Sequence, residues 1–202
     1  MADQPSGHHD TAVVVAHEIF GVNAHVASVA AALRRHRCDV FAPDFRPEPK
    51  AFGRAEEQLA YQDFTAQLGV ERMGLALARY ADGLRGRYRR VLCVGYSVGA
   101  TAAWLAAGAG AFDRTVCCYG SRIRDHLDVS PRGGCLLVVA EHEASFSGRE
   151  FAAKLAGRQD LTAELYPCTH GFCDPGNPHY APEHARAAWR SAVAFLELSG
   201  GG

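Results

Sequence analysis

Residues 95–99 read Gly-Tyr-Ser-Val-Gly, which places a serine between two glycines. The apolar run of residues 91–94 comes directly before this pentapeptide, and the helix-forming run of residues 100–105 follows it. A sharp turn from a strand into a helix strains its central residue and needs glycines where the two elements approach each other. The helix N-terminus at such a turn also favours a developing negative oxygen. The pattern therefore indicates Ser97 as a nucleophile.

A histidine that can act as the base follows the last strand-like run, residues 161–166. His170 lies on the segment between this run and the final helix-like segment, and the order nucleophile, acid, histidine requires a histidine there. Most histidines are ordinary surface or core residues, so position decides the assignment. The ordinary interpretation is kept for five others: His8, His9, His25, His36 and His184.

The acid that would orient the histidine is less sharply defined. Residues 135–140 form a strand-like run, and the next three residues, Glu-His-Glu, offer two carboxylates. The orienting group fixes the imidazole tautomer and stabilises the imidazolium, which either glutamate or aspartate can do. We favour Glu143 because it lies further into the loop. Glu141 and Asp174 remain alternatives.

The elements that must position these residues alternate along the chain. Six short apolar or β-branched runs can each be a strand buried on both faces: residues 12–16, 38–42, 91–95, 114–118, 135–140 and 161–166. Helical periodicity marks residues 24–36, 56–86, 99–108, 147–157 and 182–198. This order predicts an α/β fold with a mainly parallel sheet of about six strands, helices on both faces and ligands at the carboxyl ends of the strands.

With these positions assigned, residues 16–23 resemble the E-I-F-G-x-N signature that follows the first core strand of dienelactone hydrolases. The resemblance continues in family order through residues 42–44, 95–99, 118–120, the carboxylate loop at Glu143, and residues 170–172. It implies an α/β-hydrolase fold, no metal or organic cofactor, and hydrolysis of small-molecule esters or lactones through an acyl-enzyme intermediate.

The resemblance also implies further site residues. The backbone N–H groups of Val98 and Ile19 would form the oxyanion hole. Glu18 matches a family glutamate beside the nucleophile, although a buried carboxylate that only hydrogen-bonds its loop would fit equally well.

Three departures from the family pattern affect these expectations. Position 97 is serine where typical members have cysteine, so His170 must act as general base throughout acylation. Asp174 stands where an arginine would hold a substrate carboxylate, which predicts a preference for neutral substrates. Arg46, Arg54 and Arg122 are the alternative anion contacts. The segment before the first core strand is short, so we expect the fold to be abbreviated at its amino-terminal end.

Composition bounds the remaining possibilities. A chain of 202 residues with 48% hydrophobic and 21% charged residues predicts a single domain spanning residues 1–202, with disorder at residues 1–9 and 200–202. The net charge of -1 gives no attraction toward nucleic acids or membrane surfaces. Seven irregularly spaced cysteines, several within apolar runs, are typical of reduced thiols and a cytoplasmic location.

These observations favour a serine hydrolase acting on a small ester or lactone through Ser97, His170 and Glu143. A non-catalytic relative that binds a small ligand is the first alternative, because the arginine that would hold a substrate carboxylate is missing and the segment before the first core strand is short. A peptidase or acyltransferase is the second, because fold and triad do not fix the leaving group or the acceptor. The sequence does not indicate an oligomeric state.

Overall fold

The computed structural model describes residues 9–198, so the expected disorder at the two ends falls almost entirely outside the described residues. The strands are β1 (Thr11–Ala16), β2 (Asp39–Phe41), β3 (Arg90–Tyr96), β4 (Arg114–Cys118), β5 (Cys135–His142) and β6 (Leu161–Thr169). The helices are α1 (Ala24–Leu33), α2 (Glu57–Gln67), α3 (Val70–Arg85), α4 (Val98–Gly108), α5 (Gly148–Leu155) and α6 (Pro182–Phe195).

The six strands form one sheet in the order β2-β1-β3-β4-β5-β6, and every neighbouring pair is parallel. This confirms the predicted α/β class and strand number. Alternate residues of β1 enter two separate hydrophobic layers, with Val14 in one and Val13 in the other. Helices α3 and α4 contribute to the first layer, and α1 and α6 to the second. The helices therefore cover both faces of the sheet.

Two elements differ from the sequence-based expectation. The predicted helix over residues 56–86 is two helices, because Gly69 adopts a positive φ of 72° after Leu68 ends α2. The N–H groups of Gly69 and Leu68 both donate to the carbonyl oxygen of Phe64, which would otherwise lack a partner at the end of α2. Strand β6 is not buried on both faces, because it lies at the edge of the sheet and most of its residues are partly or fully exposed.

The parallel arrangement brings the carboxyl ends of all strands to one edge of the sheet. The segments that follow β1, β3, β5 and β6 carry Glu18, Ser97, Glu143 and His170, respectively. The fold thus explains how residues far apart in the sequence can form one site. Within residues 9–198, none of the helices is long and apolar enough to cross a membrane.

Two leucines of α3 provide a matched test of this packing. Leu77 is 0% exposed in the layer between α3 and the sheet, whereas Leu75 is 62% exposed. We expect Leu77→Ala to lower the free energy of unfolding by about 2–5 kcal/mol through lost burial and a cavity. Leu75→Ala should change it by less than about 0.5 kcal/mol. Urea unfolding measures both, and equal effects would contradict the assigned helix face.

Candidate active site

The turn between β3 and α4 has the geometry of a nucleophile elbow. Ser97 adopts a φ of 53° and a ψ of -117°, and its N–H donates to the carbonyl oxygen of Cys118 at 3.0 Å. A Cβ atom on Gly95 would lie 2.5 Å from the carbonyl oxygen of Gly99. A Cβ atom on Gly99 would lie 2.4 Å from the carbonyl oxygens of Ala16 and His17. Only glycine fits at either position, as the sequence pattern requires.

The side chains of Ser97, His170 and Glu143 form a continuous hydrogen-bonded chain. The Oγ atom of Ser97 lies 2.9 Å from Nε2 of His170. The other ring nitrogen, Nδ1, lies 2.9 Å from Oε1 and 3.0 Å from Oε2 of Glu143. Glu141 points elsewhere and accepts from Nε of Arg149 at 3.1 Å. Of the two neighbouring glutamates, the structure brings Glu143 to the histidine.

Burial and charge act in opposite directions on the imidazole. Burial disfavours the imidazolium, but the hydrogen bond and negative charge of Glu143 outweigh it, and the pKa of His170 is raised above its ordinary value. Glu18 raises this pKa further, and Arg54 lowers it. The side chain of Glu143 is only 6% exposed, which keeps its interaction with the ring from being screened by water.

Tyr119 is a residue of this site that the sequence analysis did not single out. It follows β4 with a positive φ of 42°, is 2% exposed, and packs edge-on against His170 with 5.1 Å between the ring centroids. Its hydroxyl is buried without a hydrogen-bond partner among the described residues. Burial raises the pKa of Tyr119 well above its ordinary value, so the phenol is neutral. Its place in the segment 118–120, shared with the family, was the available signal.

A second group of charges lies beside the triad. Nη2 of Arg54 donates to Oε2 of Glu18 at 2.8 Å and also to Asp174, whose Oδ2 accepts from Nε at 3.0 Å. The guanidinium lies 4.2 Å from the ring centroid of Phe20. Burial acts to raise the pKa of Asp174, but its hydrogen bonds with Arg54 and with the N–H of Gly176 lower it overall. One cation is thus shared by two nearly buried carboxylates.

This arrangement changes the interpretation of two expected pocket residues. The side chain of Arg46 is 0% exposed, and its guanidinium is held by Asp44 and Asp63 and by a backbone carbonyl. In this structure its guanidinium is therefore enclosed and paired within its own segment and with α2, and it does not face the triad. Arg122 has a half-exposed side chain 3.5 Å from Asp125 in a short 3₁₀ turn, and no described contact brings it to the triad.

The two expected oxyanion donors lie in suitable segments. Val98 is the first residue of α4, so its N–H has no carbonyl acceptor within the helix. Ile19 follows β1 beside Glu18, in the segment against which the start of α4 packs. Their role at the site stays a prediction.

All seven cysteines are free thiols, six of them buried. In the part of the chain that the structure describes, no group of three or more His, Cys, Asp or Glu side chains could hold a metal ion.

A parallel six-stranded sheet with a serine at the elbow, and an acid and a histidine after later strands, defines an α/β-hydrolase. The model of the dienelactone hydrolase family matches residues 1–199, and the chain belongs to that family. The uncharacterized protein YczH of Bacillus subtilis (strain 168) is 33% identical over 170 residues, which cover 83% of each chain.

Solved structures share the fold. A putative dienelactone hydrolase from Klebsiella pneumoniae has a TM-score of 0.77 at 19% identity, with 96% of this chain and 89% of that chain covered. The metagenomic dienelactone hydrolase-like promiscuous phosphotriesterase P91 has a TM-score of 0.73 at 18% identity, with 97% and 89% covered. The serine hydrolase XC6422 from Xanthomonas campestris, described as lacking a lid, has a TM-score of 0.62 at 18% identity, with 98% and 87% covered.

The contact between His170 and Glu143 predicts a pH dependence. A base must be neutral to accept a proton, so kcat/KM should fall as the pH drops through the raised pKa of His170. Glu143→Gln removes the charge that raises this pKa, and we expect the acid limb to move to lower pH and the maximal rate to fall at least about tenfold. Glu141→Gln is the matched control. An unchanged acid limb in Glu143→Gln, or an equal shift in both variants, would contradict the assignment.

Proposed function

We propose that this hydrolase cleaves a small carboxylic ester or lactone through a seryl acyl-enzyme intermediate. The observation that carries the proposal is the 2.9 Å contact between Ser97 Oγ and His170 Nε2, with Glu143 on the opposite ring nitrogen. A purely ligand-binding relative would not need a serine, a histidine and an acid joined in this order. This favours the hydrolase over the non-catalytic alternative.

In the acylation step, Nε2 of His170 accepts the hydroxyl proton as Ser97 Oγ forms a bond to the carbonyl carbon of the substrate. The carbonyl π electrons move to the oxygen, which would accept hydrogen bonds from the N–H groups of Val98 and Ile19. Collapse of this intermediate breaks the bond to the leaving oxygen, which takes the proton from the imidazolium. Glu143 holds the ring and stabilises its positive charge in between.

In the deacylation step, water takes the place of the leaving alcohol. His170 accepts one proton from the water as its oxygen attacks the acyl carbon, and then returns the proton to Ser97 Oγ when the ester bond to the enzyme breaks. A lactone gives a single hydroxy acid in this cycle, and an ester gives an acid and an alcohol. No redox step or cofactor is required by this chemistry.

Replacement of the nucleophile tests the proposal directly. We expect Ser97→Ala to reduce kcat/KM for chromogenic short-chain esters by about a thousandfold or more, because it removes the attacking oxygen and leaves the backbone donors in place. Ser130→Ala, at an exposed serine, is the matched control and should retain full activity. Substantial hydrolysis by purified Ser97→Ala would contradict the assigned nucleophile.

Covalent labelling supplies the complementary control. A phosphonate or sulfonyl fluoride reagent should inactivate the enzyme and attach to Ser97, as mass spectrometry of the peptide would detect. Iodoacetamide should leave activity largely intact, because the pKa values of Cys168 and Cys173 are raised and little thiolate is present. Inactivation mapped to either cysteine would indicate a cysteine-dependent mechanism.

The charges beside the triad support a preference for neutral substrates. The sequence predicts that Asp174 itself repels an anion, but in the structure its carboxylate is compensated by Arg54. The guanidinium is shared with Glu18, so two carboxylates and one cation leave the group with a net negative charge. An anionic substrate would have to compete with both carboxylates for Arg54. A neutral ester or lactone meets no such competition.

This interpretation predicts that Asp174→Asn makes carboxylated substrates better relative to neutral ones. The two substrates to compare are a lactone that bears a free carboxylate and the same lactone with that carboxylate converted to its methyl ester. The wild type should have the higher kcat/KM for opening of the lactone ring in the neutral, methylated form. Asp174→Asn should narrow that ratio by at least about tenfold, since one unit charge at contact distance is worth a few kcal/mol at a surface-like dielectric and every 1.4 kcal/mol is a factor of ten. Asp125→Asn, which releases Arg122 instead, is the control. A wild-type preference for the free acid would contradict the proposal.

A further inference from the structure

The peptide group that joins Glu18 to Ile19 carries one of the two expected oxyanion donors. Its N–H belongs to Ile19 and its carbonyl oxygen to Glu18. A peptide group is planar, and in the trans form its N–H and C=O bonds point in opposite directions. No cis peptide bond occurs among the described residues. A contact that fixes the direction of the Glu18 carbonyl therefore also fixes the direction of the Ile19 N–H.

The side chain of His17 makes such a contact. Its Nδ1 atom lies 2.7 Å from the carbonyl oxygen of Glu18, and the residue is 0% exposed. A carbonyl oxygen can only accept a hydrogen bond, so Nδ1 carries a proton in either charge state of the ring. The N–H of Gly21 donates to the same oxygen at 3.2 Å. The shorter of the two bonds thus comes from His17, whose ring water does not reach.

The imidazole of His17 is held on its other side as well. Nε2 lies 3.4 Å from Oδ1 of Asp44, at ion-pair rather than hydrogen-bond geometry. Burial acts to raise the pKa of Asp44, but its contacts with His17 and with the buried guanidinium of Arg46 lower that pKa well below its usual range, so the group is a carboxylate. The ring therefore stands between a carbonyl oxygen and a carboxylate, and a rotation away would break both contacts.

The main chain of His17 contacts the other part of the expected oxyanion hole. A Cβ atom on Gly99 would lie 2.4 Å from the carbonyl oxygen of His17, so the start of α4 packs directly on this residue. Helix α4 begins at Val98, whose N–H is the second expected donor. His17 thus connects the two donors, because its main chain packs against the helix that carries one and its ring holds the peptide group that carries the other.

We propose that His17 is a positioning residue for the reaction at Ser97. Its imidazole N–H holds the peptide group between Glu18 and Ile19 so that the Ile19 N–H points toward the oxygen that becomes negative during acylation. This role rests on the proposed function, because it takes the Ile19 N–H as an oxyanion donor. His17 is fully buried and does not touch the substrate, so it acts only through the peptide group.

Two physical effects follow from the hydrogen bond. It limits rotation of the peptide plane, and it polarises the peptide group so that the N–H becomes a stronger donor. Both effects matter in the transition state, where the oxygen bears its charge, and much less for the uncharged carbonyl of the bound substrate. Loss of a whole oxyanion donor costs about a hundred- to a thousandfold in kcat. A donor that remains but loses its orientation should cost less, about ten- to a hundredfold.

Two substitutions separate the hydrogen bond from the ring that makes it. His17→Phe keeps a ring of similar size but has no donor, and we expect it to lower kcat for a chromogenic short-chain ester at least about tenfold with little change in KM. His17→Asn places an amide N–H near the position of Nδ1 and should restore kcat to within about threefold of the wild type. His184→Phe, the same exchange on α6, is the matched control and should retain full activity.

A trifluoromethyl ketone separates the positioning of a donor from a general loss of structure. When butyl trifluoromethyl ketone binds, Ser97 Oγ forms a bond to the carbonyl carbon, the π electrons move to the oxygen, and His170 takes the hydroxyl proton. The corresponding alcohol has no carbonyl carbon to attack. We expect His17→Phe to weaken inhibition by the ketone at least about tenfold and by the alcohol less than about twofold. Equal weakening of both, unchanged inhibition by the ketone, or failure of His17→Asn to restore it would overturn the role of His17.

A measurement on the wild type needs no variant. Nitrogen-15 spectra should show a protonated Nδ1 of His17 at neutral pH, and the amide proton of Ile19 should move downfield when the ketone binds. An Nδ1 without a proton, or an Ile19 amide that does not respond, would overturn the proposal. Failure of the proposed function would look different, because the wild type would then neither hydrolyse the ester nor bind the ketone more tightly than the alcohol.

Discussion

The close approach of α4 to the end of β1 is the constraint on which the rest of the site depends. Gly99 lies so near the carbonyl oxygens of Ala16 and His17 that no side chain fits there. This contact holds Ser97 at a positive φ and directs the N-terminus of α4 toward the space above the sheet. It also brings the segment that carries Glu18 beside the elbow. One backbone contact thus positions the nucleophile, a helix terminus and the first charged residue of the site.

The second organising interaction is the sharing of Arg54 by Glu18 and Asp174. Glu18 follows β1, the first strand in the sequence, and Asp174 follows β6, the last strand. Both carboxylates are buried. Two buried carboxylates without a cation would repel each other and lose their hydration, so the guanidinium stabilises both loops at once. Glu18 and Arg54 act in opposite directions on the pKa of His170. The group therefore links the packing of the loops to the basicity of the imidazole.

The sequence was sufficient to predict the order of strands and helices, because buried parallel strands leave continuous apolar runs. It was also sufficient to predict which segments meet, because the carboxyl ends of parallel strands lie at the same edge of the sheet. It could favour Glu143 over Glu141 but not settle the choice, since Glu141 lies at the end of β5, Glu143 follows directly after it, and only the side-chain direction separates them. It could not find the contact between Arg54 and Asp174 either, because the two residues are 120 positions apart in the sequence. Nor could it show that Arg46 is enclosed by Asp44 and Asp63, because Asp63 reaches the guanidinium only once α2 has packed against this segment.

A serine at the elbow changes what the proposed mechanism demands of the surrounding charges. A thiol can be held as an anion beside a base, but a hydroxyl releases its proton only as it attacks, so the imidazole must be basic at that moment. Glu143 supplies this basicity and raises the pKa of His170, which in turn leaves less neutral imidazole at low pH. Arg54 lowers the same pKa and opposes Glu18. In the proposed mechanism this cation would act on catalysis without contacting a substrate, because it limits how far the two carboxylates shift the imidazole toward its protonated form.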